Sequence, residues 1–302
     1  MRRTIAPAVG VLGLCAVIAL TGCQSPGADA SADGGGTITV ATAPIGDDPT
    51  QANPIEVFAD LLEKETGRPV DVLDVPDYLS VVEAIRSDHV DFGIMSGFPS
   101  ALAVNTGEVD ALMAWKGDNK PVSTCVVLND SLVKSLADLR GKTVAFADQA
   151  SSSGYFMPVY MLHEAGLEQG TDYEAIFAGG HEGSFAALEQ GQVDAACTAI
   201  MLTELGEPMF PFAPGEWRGV GQSPSMPIMG AVLARPSLDE PTRTLLQETL
   251  PKVFSENNAK PLGALGSGFI GLEVITDPGP KDFQSFVDIA AVAGVDIADL
   301  GS

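Results

Sequence analysis

Lys142-Thr-Val-Ala-Phe-Ala-Asp-Gln-Ala-Ser-Ser-Ser-Gly-Tyr155 decides how this chain folds. Residues 143–147 read as a short buried strand, followed by a tight loop and a helix opening at Ser152 or Ser153. Three consecutive hydroxyls, from Ser151, Ser152 and Ser153, would then converge with the free N–H groups of a first helical turn, Gly154 and Tyr155 included. Such a point holds an oxyanion without a metal or a counter-charge. Plain helix capping, for which serine is also favoured, is the competing reading.

The same strand–loop–helix unit recurs on both sides. Upstream, strands are expected at 37–41, 70–75, 92–95 and 111–115. Between them fall a helix capped by Asn53 with Pro54 at its first position and ending at Gly67, a helix at 78–86 capped by Asp77, and a short helix at 99–104. The second series has strands at 124–128, 143–147, 173–178 and 194–198, with helices at 135–139, 153–165 and 182–190. Past Gly215 come a strand near 227–234 and helices near 239–254 and 281–293. The alternation predicts an α/β protein of parallel βα units. Two successive series joined by the polar stretch 116–121 suggest two lobes with a ligand cleft between them.

In open α/β sheets ligands sit beyond the carboxyl ends of the strands. His181, after Gly179-Gly180, is placed to reach the same cleft as the serines. From the first lobe, Tyr78 offers a phenol, and Ser96 and Ser100 offer hydroxyls. A polar loop residue, a half-buried tyrosine and capping serines are the ordinary readings of these four. Trp115 and Trp217 read as packing residues, and Asp194 as a strand-start residue with a structural role.

Composition bounds the function. The chain has 302 residues, 45% of them apolar, enough for a substantial core. Forty acidic residues against 16 basic ones give a net charge of −24, which repels nucleic acid and anionic headgroups. An anion site must therefore work through local donors. There are three histidines (His89, His163, His181), and no His-Glu-x-x-His, Cys-x-x-Cys, Gly-x-Ser-x-Gly or P-loop spacing. No metal, no cofactor and no enzymatic activity are expected. A Ser153–His181–acid triad finds no support in the residue order.

Residues 1–22 read as a targeting segment: Arg2 and Arg3, then an apolar run over 9–20 that is too short to span a bilayer. It ends in Leu20-Thr21-Gly22-Cys23, which resembles the bacterial lipobox and implies acylation of Cys23; a plain secretory signal is the alternative. Residues 23–36 read as a flexible tether reaching roughly 20 Å. The expected location is the extracytoplasmic face of the cell membrane, held there by lipid. Cys125 and Cys197, in apolar runs facing an oxidising compartment, are either a disulfide or two buried thiols.

Several stretches together resemble one family. They are Leu136-Ala-Asp-Leu-Arg-Gly-Lys followed by the opening stretch through Tyr155, Pro158, Leu162 and Gly166, Phe177-Ala-Gly-Gly-His181, and Ala187-Leu-Glu-Gln-Gly-Gln-Val-Asp-Ala-Ala196. The chain is similar to the phosphonate/phosphite/phosphate-type substrate-binding proteins of ABC importers. Upstream, Tyr78, Val81-Val-Glu-Ala-Ile-Arg86, Val90-Asp91 and Gly97 fit the same pattern, so the resemblance covers about 37–235. It implies a two-lobe type II periplasmic-binding fold, each lobe a mixed sheet flanked by helices, with lobe I over 37–120 plus 224–302, lobe II over 121–223 and two strand crossovers as the hinge. It also implies ligand oxygens on Ser151, Ser152, Ser153 and the Gly154 backbone, with His181 and Tyr78 joining them. The chain departs from the pattern at Ser152, where threonine is usual, and at Gly97-Phe98-Pro99-Ser100-Ala101, where a tyrosine is lost. After Thr198 the run Ala-Ile-Met-Leu offers no acid for a ligand amine, which leans against an aminoalkylphosphonate.

The expected function is that of a monomeric, lipid-anchored solute receptor. It would capture a small phosphorus oxyanion between its lobes, close by hinge rotation and deliver the ligand to an ABC permease. A tethered sensor or interaction lipoprotein using the same cleft is the second reading. A receptor for another small oxyanion or organic solute, and an enzyme on the same scaffold, rank below it.

Overall fold

The computed structural model describes residues 35–42, 53–207 and 209–294. The targeting segment, Cys23 and the tether up to residue 34 lie outside the described residues. From Gly35 the chain forms one compact unit built on two sheets.

The first sheet contains β1 (Ile38–Thr42), β2 (Val70–Asp74), β3 (Phe92–Ser96), β4 (Asp110–Lys116), β10 (Ile228–Ala234) and β11 (Val274–Thr276), in the order β11-β4-β10-β3-β1-β2. The second contains β5 (Ser123–Leu128), β6 (Thr143–Phe146), β7 (Glu174–Phe177), β8 (Ala195–Ala199) and β9 (Trp217–Val220), in the order β7-β6-β8-β5-β9. The sheets are mixed rather than parallel throughout. Pairs β1–β2, β1–β3, β6–β7 and β6–β8 are parallel, as right-handed βα units require. β10, returning from the second sheet, inserts antiparallel between β3 and β4, and β5, arriving from the first, inserts antiparallel between β8 and β9. A strand that crosses over enters from the opposite end, so it cannot run with its neighbours.

The two crossovers, 117–122 and 221–227, are bonded to each other. Gly117 N–H donates to Pro227 O at 2.8 Å, and Ser223 N–H to Ser123 O at 2.9 Å. The buried Ser223 hydroxyl accepts from the Ser123 N–H at 3.0 Å. A Cβ on Gly117 would lie 1.7 Å from Met226 O, so only glycine allows this approach.

Helices cover the sheets: α1 (Pro54–Thr66), α2 (Tyr78–Arg86), α3 (Gly97–Thr106), α4 (Met157–Glu164), α5 (His181–Glu189), α6 (Leu202–Leu205), α7 (Glu240–Val253), α8 (Ala259–Ser267) and α9 (Phe286–Ala293). Their ends follow capping chemistry. Asn53 accepts from the Ile55 N–H at 2.8 Å, Asp77 from Ser80 at 2.7 Å and Asp239 from Thr242 at 3.0 Å. Gly67 closes α1 with φ +69°.

Two aspartates, Asp91 buried and Asp194 partly exposed, repeat one device. Asp91, just before β3, accepts from the Thr39 N–H of β1 at 2.8 Å, and is also held by Arg235 at 2.8 Å. Asp194, just before β8, accepts from the Thr143 N–H of β6 at 3.0 Å. Each ties the start of a central parallel pair. Cys125 and Cys197 face each other in the β5–β8 register and are joined by a disulfide. One apolar cluster runs from sheet to sheet through Phe98, whose ring stacks on Phe156 (centroids 3.6 Å apart, 12° between planes) and meets Phe286 edge-on.

Candidate functional site

The serine turn grows directly out of β6. Asp148 accepts from the Ala150 N–H at 2.7 Å through Oδ1 and from the Ser151 N–H at 3.0 Å through its carbonyl, which closes the loop. Ser151 then caps the next element, its hydroxyl accepting from the Gly154 N–H at 3.0 Å. The helix does not open as an α-helix. Ser152–Phe156 is a wider π turn, with Phe156 N–H bonded to Ser151 O, and α4 proper begins at Met157. Single π turns of this kind recur at functional sites. The N–H groups of Ser152 and Ser153 have no preceding helical turn to bond to, so they add donors at the positive end of the element.

The three serines divide the work. Ser151 and Ser153 line a cavity of about 190 Å³. Ser152 is fully buried, donates to the Ser96 hydroxyl at 3.0 Å and accepts from the Phe98 N–H at 2.7 Å. Its hydroxyl thus bridges the two sheets. Gly154 has no room for a side chain: a Cβ would lie 2.5 Å from Ala147 Cβ and 3.0 Å from His181 Cε1. That clearance lets the turn press against both β6 and the histidine.

His181 opens α5 after Gly179, whose φ is +79°, and lines the same cavity. Its Nδ1 lies 2.8 Å from Oγ1 of Thr198, a buried residue of β8. Burial pushes its pKa down to about 4, so the ring is neutral near pH 7. If the Thr198 hydroxyl donates to Nδ1, Nε2 carries the proton and is a hydrogen-bond donor; in the other tautomer Nδ1 donates to Thr198. From the opposite sheet, Tyr78 lines the cavity at the start of α2. Burial raises its pKa, with Ser96 beside it partly offsetting the rise, so it remains a neutral phenol donor.

Other predicted residues lie elsewhere. Tyr155 packs into the second sheet's core against Phe146 and Phe177, its hydroxyl donating to Gln169 at 3.2 Å. Ser100 is buried within α3 and donates to the Ser96 carbonyl at 2.8 Å. Ser96 reaches the cleft region through its contact with Ser152.

The sequence reading missed the cavity's acids and its third wall. Asp77, Asp148 and Glu182 line it, and among the described residues no Lys or Arg does. The carboxylates absent after Thr198 thus come from other loops. Asp148 has its pKa raised, first by burial and then by Asp77. Leu265, Gly268 and Phe269 close the cavity from α8 and the turn after it. Asp148 was legible as the residue that follows a strand end; the α8 wall was signalled only by its glycines at 263, 266, 268 and 271. Among the described residues no group of His, Cys, Asp and Glu could hold a metal ion.

Neutral donors and carboxylates thus meet on one cavity between two mixed sheets. Residues 40–277 match the family described as ABC transporter, phosphonate, periplasmic substrate-binding protein. The chain belongs to that family, and its two-sheet architecture is the type II periplasmic-binding fold. It is 31% identical over 172 residues to the phosphate-import protein PhnD of Mycolicibacterium smegmatis, covering 53% of this chain and 54% of that one. It is 29% identical over 146 residues to the phosphonates-binding periplasmic protein of Escherichia coli, covering 46% of this chain and 43% of that one. The chain thus spans about half the length of the curated relatives it matches. PhnD1 of Prochlorococcus marinus in complex with methylphosphonate superposes with a TM-score of 0.67 at 18% identity, covering 84% of this chain and 97% of that one. A binding-protein component of a phosphonate ABC transporter from Pseudomonas aeruginosa gives 0.68 at 18%, covering 86% and 87%. No helix among the described residues is long and apolar enough to cross a membrane.

Proposed function

We propose that this chain captures a small phosphorus oxyanion, of the phosphonate, phosphite or phosphate kind, and hands it to the permease of an ABC importer. The observation that carries the reading is the meeting of Ser151, Ser153, His181 and Tyr78 on one cavity. All four are neutral donors near pH 7, and each hydrogen bond to a charged oxygen is worth about 1.5–3 kcal/mol. A few of them give micromolar affinity or better without a cationic side chain. Lobe I (37–120 and 224–302) and lobe II (121–223) close on the ligand about the two crossovers. Acylated Cys23 and the 23–36 tether hold the body, as a monomer, at the outer face of the membrane.

A thermal-shift panel of phosphate, phosphite, hypophosphite, methylphosphonate, aminoethylphosphonate and sulfate tests the ligand class. A tight ligand raises the midpoint by mass action. A panel in which no phosphorus oxyanion shifts the midpoint would overturn the proposal. Labelling with a radioactive fatty acid in cells, lost in Cys23→Ala, tests the anchor.

A further inference from the structure

The cavity that gathers Ser151, Ser153, His181 and Tyr78 also gathers the carboxyls of Asp77, Asp148 and Glu182, and among the described residues no Lys or Arg lines it. A fully ionised oxyanion seated there meets neutral donors on one side and like charge on the other. Repulsion between such charges is stronger in a partly desolvated cleft than in water. A ligand that keeps one proton escapes it.

Asp148 is the acid that stands beside the serines. The Ser151 N–H donates to its carbonyl at 3.0 Å, so the turn keeps the carboxyl next to Ser151 and Ser153. Its Oδ1 accepts from the Ala150 N–H at 2.7 Å, while Oδ2 accepts no hydrogen bond among the described residues. Across the cleft it faces Asp77 and the Tyr78 phenol, with which its charge interacts. The other acids are placed differently. Asp77 Oδ1 caps α2 through the Ser80 N–H, and the Glu182 carboxyl turns back towards Gly180. His181, at the start of the same helix as Glu182, is neutral near pH 7. Burial raises the pKa of Asp148, the Ala150 bond partly offsets the rise, and Asp77 adds to it.

We infer that Asp148 selects the charge form of the ligand: the cavity takes a singly charged hydrogen-oxyanion whose P–OH donates to the open carboxylate oxygen of Asp148. Whether the proton rests on the ligand or on the carboxyl, the complex holds one between them. This rests on the proposed oxyanion seat and adds what that seat refuses. Phosphorus oxyanions with a second ionisation near neutral pH retain a P–OH there; sulfate is fully ionised and offers Asp148 only like charge. The serines, His181 and Tyr78 would serve both anions alike, so the discrimination falls to the carboxylate.

The experiment is calorimetric titration of the full chain with phosphite, methylphosphonate, aminoethylphosphonate and sulfate. It is run below and above each ligand's second ionisation, in buffers of different ionisation heat, which counts the protons taken up. Above that ionisation about one proton should be taken up per phosphite or methylphosphonate bound, and Kd should rise about tenfold per pH unit. Sulfate should bind at least roughly tenfold more weakly than phosphite, the equivalent of one charge-assisted hydrogen bond. In Asp148→Asn, whose amide can donate to an ionised oxygen, the uptake should vanish, Kd should level with pH and the gap to sulfate should narrow. Asp148→Ser, uncharged and still able to accept from the Ala150 N–H, repeats the test where the amide variant does not fold. Glu182→Gln should keep the uptake. Binding of phosphite without proton uptake, or equal uptake in the Asp148 variants, overturns the inference and leaves the oxyanion seat standing. So does binding of aminoethylphosphonate alone without uptake, which would assign the carboxyls to an ammonium. If none of the phosphorus ligands binds at any pH, the seat itself has failed and the inference falls with it.

Discussion

The Ser152 hydroxyl stands 3.0 Å from the hydroxyl of Ser96, on the opposite sheet, and also accepts the Phe98 N–H. A group that would serve a ligand by its place in the serine run is spent on holding the cleft's two sides together. Ser152→Ala should therefore act on stability, because it strands a buried backbone N–H at a cost of about 1–3 kcal/mol. Ser153→Ala, which leaves that bridge intact, should cost roughly tenfold in oxyanion affinity, the equivalent of one hydrogen bond. Calorimetric melting and titration of the two variants separate the effects; a large melting loss in Ser153→Ala would contradict the division.

Asp148 carries the opposite expectation. Its carboxyl is held above the usual range by burial and by Asp77, so the ionised form is strained near neutral pH. A raised pKa means stability that is present at low pH and lost as pH rises through the folded value. Asp148→Asn keeps an acceptor for the Ala150 N–H and removes the charge, so the melting midpoint at pH 7 should rise. A midpoint that falls would show that the carboxylate is paid back elsewhere in the fold.

His181 titrates in the other sense. Its pKa is about 4 in the folded chain and near 6.5 when unfolded, so the unfolded state takes up the proton first. Stability should be complete above about pH 6.5 and decline as the pH falls towards 4. His181→Gln should show a shallower decline across that window, measured by urea midpoints at half-unit steps. Equal slopes in the two proteins would remove the buried neutral imidazole from the account.

The Cys125–Cys197 bridge closes 72 residues of chain. By chain entropy such a loop is worth about 4 kcal/mol, reduced by any residual structure in the unfolded state. Replacing both cysteines with alanine should lower stability by up to that amount. Affinity should fall too, because Cys197 neighbours Thr198, the partner of His181. Chemical denaturation and titration of the double variant test both halves of this expectation.

Much of this was legible in the chain because local chemistry agreed with the tertiary result. Asn53-Pro54, Asp77 and Gly67 mark helix ends that the structure keeps. The alternation of units located nine of the strands to within a residue or so, and Ser151, Ser153 and His181 reach one cavity. β9 and β11 were missed because each is short and marginal in pattern, four and three residues long. α8 escaped because glycines interrupt its period, and Gly263 breaks it with φ +51°. Tyr155 and Ser100 were misplaced for a different reason. Residues next to a binding loop share its sequence context, but only the backbone turn decides whether they face the cleft or the core.

The paired crossovers have a kinematic consequence. A single strand between two bodies permits twisting about its own axis as well as bending. Two strands lying side by side and bonded at Gly117–Pro227 and Ser123–Ser223 resist twist, since twisting would shear those bonds, yet they still flex across their common plane. On the proposed closure, the cleft would be left with essentially one degree of freedom, and the path on which Tyr78 approaches Ser153 and His181 would be fixed before anything binds.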